Sequence, residues 1–140
     1  MKTKIVLILL AMTILPNFLT AQQKDTVNIQ SVIKNYVNQF DSTKLSPTNA
    51  GYQYWFVDKK TGNGKTLKLS VVKPGAATHP PHKHAEPEIF YILEGTAMLY
   101  LNGDSAVAKP NSSFYCPPMS MHGLRNAGKS TLKYLVIKDY

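Results

Sequence analysis

The four histidines of this 140-residue chain fall into two short segments. His79, His82 and His84 lie within residues 75–95, and His122 lies alone further along the chain. Neutral imidazole is the commonest metal ligand among protein side chains. This grouping predicts one metal site that is built from both segments.

The spacing of His82 and His84 suits an extended strand. Alternate side chains of a strand point to one face, with Cα atoms about 6–7 Å apart, so both imidazoles can reach one ion at about 2.0–2.1 Å. On a helix this spacing would separate the two side chains by about 200°. Pro80 and Pro81 exclude a helix interior, and Glu88 begins a run rich in β-branched and aromatic residues. We therefore expect a strand here, with Glu88 adding a carboxylate oxygen.

Three neutral imidazoles and one carboxylate suit one divalent ion of Fe, Mn, Ni, Cu or Zn. The general order of metal affinities does not choose among them. Such a ligand set leaves about two positions of an octahedron for water, oxygen or a substrate. Open positions of this kind are typical of a catalytic site rather than a structural one.

The first segment resembles the first motif of the cupin superfamily, which is Gly, a short spacer, His-x-His, three or four residues, Glu, six residues and Gly. The matching residues are Gly75, His82, His84, Glu88 and Gly95. The spacer after Gly75 is one residue longer than usual. The resemblance implies a jelly-roll barrel and, as metal ligands, His82, His84, Glu88 and His122.

The second segment resembles the second cupin motif, Gly-x5-Pro-x-Gly-x2-His-x3-Asn. Pro117, His122 and Asn126 occupy three of its places. Asn111 and Met119 stand where the family has glycine. Both replaced glycines shape turns, so the departures concern the geometry of the loops more than the ligands.

The resemblance implies several possible activities and a homodimer. Cupins include dioxygenases, isomerases, epimerases, lyases and decarboxylases, together with non-catalytic sugar-binding and storage proteins. We predict a metalloenzyme that acts on a small polar molecule, with dioxygenase-type or sugar isomerase or lyase-type chemistry. The alternative is a binding protein that holds a small ligand, a sugar or a metal without turnover.

Other residues near the two motifs are candidates for the chemistry. His79, Glu86 and Tyr100 are the candidate catalytic groups. Glu86 shares the strand parity of Glu88 and is the alternative carboxylate ligand, whereas His79 is either a base beside the metal or a histidine of a solvent-facing loop. The apolar walls of a substrate pocket are predicted to come from Phe90, Ile92, Phe114 and Met119.

The chain begins with the features of a secretory signal peptide. Two lysines precede a mostly apolar run of eleven residues, 5–15, which Pro16 ends, and the small Ala21 suits cleavage. Such a run is too short to span a bilayer of about 30 Å, although an uncleaved anchor is the alternative. We expect residues 1–21 to be removed and the protein to be periplasmic or extracellular, without a stable membrane anchor.

Residues 22–50 are expected to form a helix and a polar linker. Apolar side chains recur at helical spacing within residues 25–40, namely Ile29, Val32, Ile33, Tyr36, Val37 and Phe40. This stripe must be buried, either against the outside of the barrel or in a dimer contact.

Residues 51–140 show the two-residue period of β-strands. Tyr52, Tyr54 and Phe56 share one face. We predict at least seven strands, at residues 52–56, 65–72, 88–93, 96–101, 105–108, 113–116 and 132–137. Asn102 and Gly103 form a hairpin turn because both tolerate positive φ. This pattern indicates an all-β fold, an antiparallel jelly-roll barrel.

The composition argues against a nucleic-acid partner. The formal net charge is +8, and it becomes +6 without Lys2 and Lys4. The excess is scattered lysine, and Arg125 is the only arginine, whereas readers of nucleic acid concentrate arginine on one face. We therefore expect no nucleic-acid partner. Cys116 is the only cysteine, which excludes an intrachain disulfide.

Overall fold

The computed structural model of the protein describes residues 33–140. The predicted signal peptide, residues 1–21, lies outside the described residues, and so does the part of the predicted helix before residue 33. Residues Val37–Tyr140 form one compact unit, which contains all the strands of the described part. Within the described part, no helix has the length and apolarity needed to cross a membrane.

The helical pattern does not continue to Phe40. Residues 33–36 form one turn, and residues 37–40 are not helical. The Tyr54 hydroxyl donates to the Gln39 carbonyl at 2.9 Å, and the Phe40 ring lies 4.9 Å from the Tyr54 ring. These contacts with a strand hold the end of the segment outside a helix, so the prediction of a helix up to residue 40 was wrong.

In the described residues, a short 3-10 helix, Ser42–Lys44, precedes nine strands. The strands are β1 (Ser46–Thr48), β2 (Gly51–Val57), β3 (Lys65–Val72), β4 (Glu88–Glu94), β5 (Ala97–Leu101), β6 (Asp104–Ala108), β7 (Ser113–Cys116), β8 (His122–Asn126) and β9 (Leu132–Asp139). The seven predicted strands are all present, whereas β1 lies within the predicted linker and β8 was not predicted. The all-β, antiparallel fold is confirmed.

The strands form two antiparallel sheets. The larger has the order β1-β2-β3-β9-β4-β7 and the smaller the order β6-β5-β8. The core between the sheets includes Val72, Phe90 and Ile92 from the larger sheet and Leu99 and Leu124 from the smaller one. A side chain of the larger sheet that points toward this core therefore faces the interior of the barrel.

The two faces of β3 reverse the usual pattern of apolar inside and polar outside. Leu69 and Val71 belong to a separate apolar cluster with Tyr54 on the outer face. Thr66, Lys68 and other residues of the opposite parity point inward. The interior contains rows of paired residues across β4, β9 and β3: first Glu88, Lys138 and Thr66, then Phe90, Val136 and Lys68, then Ile92, Tyr134 and Ser70.

These rows divide the interior into two ends. The polar end contains Glu88, Thr66, Lys68, Lys138 and the first inward-facing residue of β8, His122. The apolar end contains Val72, Ile92, Ala97 and Leu132, each 0% exposed. The barrel interior is thus filled by closely packed apolar side chains at one end and by ionisable side chains at the other.

Left-handed backbone is kept where the cupin motif has glycine. Asn111 has φ 66° and Met119 has φ 60°, and both replace a motif glycine. Asparagine tolerates this region, whereas a methionine there is uncommon. The turn geometry is therefore retained without the glycines. The hairpin turn is confirmed at Asn102 and Gly103, which have φ 48° and 103°.

Candidate metal centre

The fold brings three of the four histidines together at the polar end. One ring nitrogen of each of His82, His84 and His122 lies within 4.8 Å of the others. The backbones of His82 and His122 also exchange two hydrogen bonds, with N···O distances of 2.9 and 2.8 Å. This reciprocal pair fixes the two residues opposite each other with their side chains on one face.

The segment that carries His82 and His84 is not the predicted strand. His82 forms only an isolated bridge with His122, and His84 lies in an irregular stretch. Pro80 and Pro81 lack the N–H groups that a ladder requires. The two rings nevertheless lie on one side, because the bridge holds His82 and the Met119 N–H donates to the His84 carbonyl at 2.7 Å.

Backbone carbonyls orient two of the rings. His84 Nδ1 lies 2.7 Å from the Glu86 carbonyl oxygen, and His122 Nδ1 lies 2.8 Å from the Ser120 carbonyl oxygen. Because a carbonyl can only accept, each Nδ1 carries the proton and donates. Each Nε2 of a neutral ring then presents its lone pair to the cluster, as is usual for a metal ligand.

Glu88 completes the arrangement from the first position of β4. Its Oε2 lies 3.1 Å from His122 Nε2 and 3.5 Å from His84 Nε2, and the residue is 8% exposed. Ligand atoms at about 2.1 Å from one ion lie about 3.0–3.4 Å apart in octahedral or tetrahedral geometry. The distances around Glu88 therefore suit shared coordination.

Two buried ring nitrogens support the fit of a metal. His82 Nδ1 and His84 Nε2 have no hydrogen-bond partner among the described residues, and an unsatisfied buried polar atom is costly. Burial lowers the pKa of His82, and the neighbouring imidazoles lower it further. A lowered pKa favours the neutral ring that a metal requires. One divalent ion thus fits the donor set.

The structure places Glu86 behind His84 rather than inside the cluster. The Glu86 carboxylate lies 3.6 Å from His84 Nδ1 and 3.6 Å from Lys138 Nζ. His79 lies at the margin, exposed, with its ring 4.3 Å from the ring of His82. The backbone bond to Nδ1 turns the ligand nitrogen of His84 toward Glu88 and away from Glu86.

Tyr100 is not brought to the metal centre. It pairs with Gly123, whereas the neighbouring residue Leu101 pairs with His122, so Tyr100 and His122 lie on opposite faces of the small sheet. Tyr100 instead lines an outer cavity of about 670 Å³, together with His79 and Arg125. Tyr100 is therefore separated from the cluster of His82, His84 and His122 by the sheet.

The four predicted apolar positions have different surroundings. Phe90 is 3% exposed and its ring lies 6.3 Å from the His122 ring, so it borders the metal centre. Phe114 stacks on Phe90 at 6.0 Å. Ile92 lies deeper, at the apolar end, and Met119 is 58% exposed on a loop.

The sequence did not predict that two lysines face the barrel interior. Lys138 is paired with Glu88 across β9 and β4, and Lys68 lies in the next row. The sequence shows apolar and polar residues alternating along each strand. A lysine at one of the polar positions is normally expected to face solvent. Only the pairing of β9 with both β3 and β4 shows that this parity faces the interior.

Comparisons with known proteins agree with this geometry. The chain is 26% identical over 123 residues to the mannose-1-phosphate guanylyltransferase RfbM of Salmonella typhimurium, a match that covers 86% of this chain and 26% of the transferase. It is 31% identical over 91 residues to the 5-nitrosalicylic acid 1,2-dioxygenase of a Bradyrhizobium species, which covers 57% of this chain and 44% of the dioxygenase. The chain thus spans about a quarter to a half of these two relatives.

Solved structures show the same fold. A predicted oxalate decarboxylase from Thermotoga maritima has a TM-score of 0.63 and 23% identity, over 72% of this chain and 97% of that one. A Cupin 2 conserved barrel domain protein from Salinispora arenicola also has a TM-score of 0.63 and 23% identity, over 74% and 87% of the two chains. The sequence matches the family named Cupin domain over residues 68–138, which include every residue of the metal centre. The chain belongs to the cupin family.

Proposed function

We propose that this protein is a metal-dependent enzyme that holds one divalent ion through His82, His84, His122 and Glu88 and acts on a small polar molecule. The observation that carries the proposal is the convergence of three imidazoles on one point beside a carboxylate, where two of the rings have a buried nitrogen without a partner in residues 33–140. Buried nitrogens without partners are rare in a purely structural cluster.

The arrangement of the protein residues supports an open rather than a closed site. Three imidazoles and one carboxylate would occupy four positions of a bound ion, and such an ion would act as a Lewis acid or a redox centre for a substrate at its remaining positions. Glu86 and Ser120 hold the rings through their carbonyls, and Phe90 supplies an apolar wall. These residues keep the ligands in one orientation while a substrate binds.

The relatives suggest a substrate class. One is named for a sugar phosphate and the other for an aromatic carboxylic acid, and both compounds are anions. Since this chain spans only part of each relative, we take from them the class of small anionic molecule and leave their whole reactions aside. Dioxygenase-type chemistry and sugar isomerase or lyase-type chemistry are the two forms that we propose to test.

The experiment begins with the metal content of protein purified from its own cells. About one equivalent of Fe, Mn, Ni, Cu or Zn is expected, and it should leave as the pH falls from about 6 to 5, because protons compete for imidazole. The loaded protein is then tested for oxygen uptake with aromatic carboxylates and for isomerisation or cleavage of sugar phosphates. A protein without metal, or one that keeps its metal at pH 4, would contradict the proposed site.

A binding protein without turnover is the second candidate. It is favoured by the position of Tyr100, because this candidate catalytic group lies on the outer face of the small sheet. A loaded protein that retains a small molecule unchanged through purification would support this alternative.

Export and pairing of chains are further parts of the proposal. The apolar run after Lys2 and Lys4 supports secretion to the periplasm or beyond, and the homodimer is proposed from the resemblance to cupins, which commonly pair through their sheets. Fractionation of cells that produce the full chain tests the first. Light scattering tests the second, for which a monomer would be the contrary result.

A further inference from the structure

The polar end of the barrel contains more positive charge than a metal site requires. Lys68 and Lys138 both have inward parity, on strands that are hydrogen-bonded neighbours. Lysine is rarely buried without a partner because its charge is costly to remove from water. Their position beside the metal ligands therefore calls for a function.

Lys138 lies directly across from Glu88. The two residues are paired in the register of β9 and β4, which places their Cβ atoms about 4.5–5.5 Å apart. The side chain of Lys138 is 10% exposed. Its Nζ lies 3.6 Å from Glu86 and 4.6 Å from the centre of the Tyr140 ring, so the ammonium is held close to the carboxylate that lies behind His84.

Lys68 is paired with Val136 on β9 and with Trp55 on β2. Its Nζ lies 5.1 Å from the centre of the Trp55 ring. It forms no ion pair with any carboxylate in residues 33–140. The row that contains Lys68 is next to the row that contains Glu88 and Lys138. Burial lowers the pKa of Lys68, while the charge of Glu88 raises it.

We propose that Lys68 and Lys138 form an anion-binding subsite that holds a carboxylate or phosphate group of the molecule bound at the metal. The inference rests on the proposed function and adds to it the residues that select the substrate. Two ammonium groups and a divalent ion, set against the carboxylates of Glu86 and Glu88, leave a formal charge of two positive units at this end. A dianion neutralises that charge, and a neutral sugar does not.

The chain contains its own reporter for the test. Trp55 is the only tryptophan, and its ring lies against Lys68. Nickel-loaded protein is titrated with malonate as the carboxylate probe and with glycerol 3-phosphate as the phosphate probe. Tryptophan fluorescence and calorimetry are followed together, and malonamide and glycerol serve as the uncharged counterparts.

The variants are Lys68→Met, Lys138→Met and, as a matched control, Lys133→Met. Methionine keeps the length of the buried stem. Lys133 is on the same strand as Lys138 at the opposite parity, where it pairs with Glu94 on the surface. Lys68→Arg and Lys138→Arg retain the charge and guard against a purely structural effect.

Each inward Met variant is expected to weaken binding of the anion roughly tenfold, the loss of about one charge-assisted hydrogen bond. The Lys133→Met and the two Arg variants should bind within a few-fold of wild type. Any of three results would overturn the subsite. The Lys68→Met and Lys138→Met variants could bind the anion as tightly as wild type does, malonamide could bind as tightly as malonate, or wild type could bind neither anion. The probe with the higher affinity identifies carboxylate or phosphate as the preferred group.

Nickel content separates this inference from the proposed function. All the lysine variants should hold as much nickel as wild type, because no metal ligand has changed. A wild type that takes up no nickel contradicts the metal site, whereas normal nickel with unaltered anion binding in the Met variants contradicts only the role of the lysines.

Discussion

The two ends of the barrel interior treat buried polar groups in opposite ways. At the apolar end, the Asn126 side chain is 0% exposed and fully bonded. It donates to the carbonyls of Val72 at 2.9 Å and Ser130 at 2.8 Å, and it accepts from the Gly128 N–H at 2.9 Å. At the polar end, one ring nitrogen of each of two histidines, His82 Nδ1 and His84 Nε2, has no partner among the described residues.

This difference separates structural polar groups from those available for chemistry. A buried amide with all its bonds made stabilises one arrangement of the chain. A buried imidazole without them leaves free energy to be gained when a ligand arrives. Asn126 and His82 both occupy cupin motif positions, but the first has all its hydrogen bonds, whereas the second has a buried ring nitrogen without a partner among the described residues.

The largest expected effect comes from removing one ligand at the polar end. His82→Ala should lower the affinity for the metal by more than about 100-fold, since even residues that only support metal ligands contribute about 10–100-fold. Metal content and a competitive chelator titration measure the change.

His79→Ala is the matched control for that change. Its ring touches the ring of His82 at 4.3 Å, but it is exposed, so metal content should stay at the wild-type level. If both variants lost the metal, or if neither did, His82 could not be distinguished from His79 as a metal ligand.

At the apolar end the effect should be on stability instead. Ile92→Ala removes a side chain that is 0% exposed and should cost about 2–5 kcal/mol in the free energy of unfolding. Leu93→Ala, on the neighbouring residue with 38% exposure, should cost less than about 1 kcal/mol. Denaturant unfolding checks both, and similar losses would show that the apolar end is not the main source of stability.

Cys116 offers a pH test at the border of the two ends. Burial, followed by the charge of Glu88, raises the pKa of the thiol to about 12 from an ordinary 9.0. Because the folded state keeps the proton that the unfolded state releases, this contribution to stability is complete below about pH 9 and is lost as the pH rises toward 12.

The measurement compares the free energy of unfolding of wild type and Cys116→Ala between pH 8 and pH 10.5. Wild type should lose more stability than the variant over this range, since both contain the same tyrosines and lysines. Parallel curves would mean that the thiol titrates normally in the folded protein.

The smallest expected effect is a gain. Met119→Gly should raise the free energy of unfolding by about 0.5–1 kcal/mol, because glycine adopts the φ of 60° without the left-handed penalty but loses more entropy on folding. Met121→Gly is the control, since Met121 is not among the residues with positive φ, and it should destabilise. A loss in both variants would show that the Met119 turn is unstrained.

Local patterns in the sequence predicted much of the fold. The bounds of β3 and β7 and the turn at Asn102 follow from short-range signals, namely the two-residue period and residues that tolerate positive φ. The spacing of His82, His84 and Glu88 likewise indicated that their side chains converge, although the supporting segment is a bridge rather than a strand.

Long-range pairing decided what local patterns left open. The predicted helix reached residue 40, but Gln39 and Phe40 contact Tyr54 instead of continuing a helix. The inward direction of Lys68 and Lys138 depends on β9 lying between β3 and β4, strands far apart in sequence. No local pattern in the sequence shows that these strands are neighbours. The histidines and Glu88 of the polar end could therefore be predicted, whereas its lysines could not.

The reciprocal backbone bridge between His82 and His122 has a consequence for metal exchange. The two residues lie 40 positions apart in sequence, yet their main chains are bonded to each other independently of any ion. In a zinc finger the metal must order its own loops, whereas here two of the proposed ligands are held opposite each other by main-chain hydrogen bonds alone. Exchange of one ion for another at the proposed site would therefore leave this bridge in place.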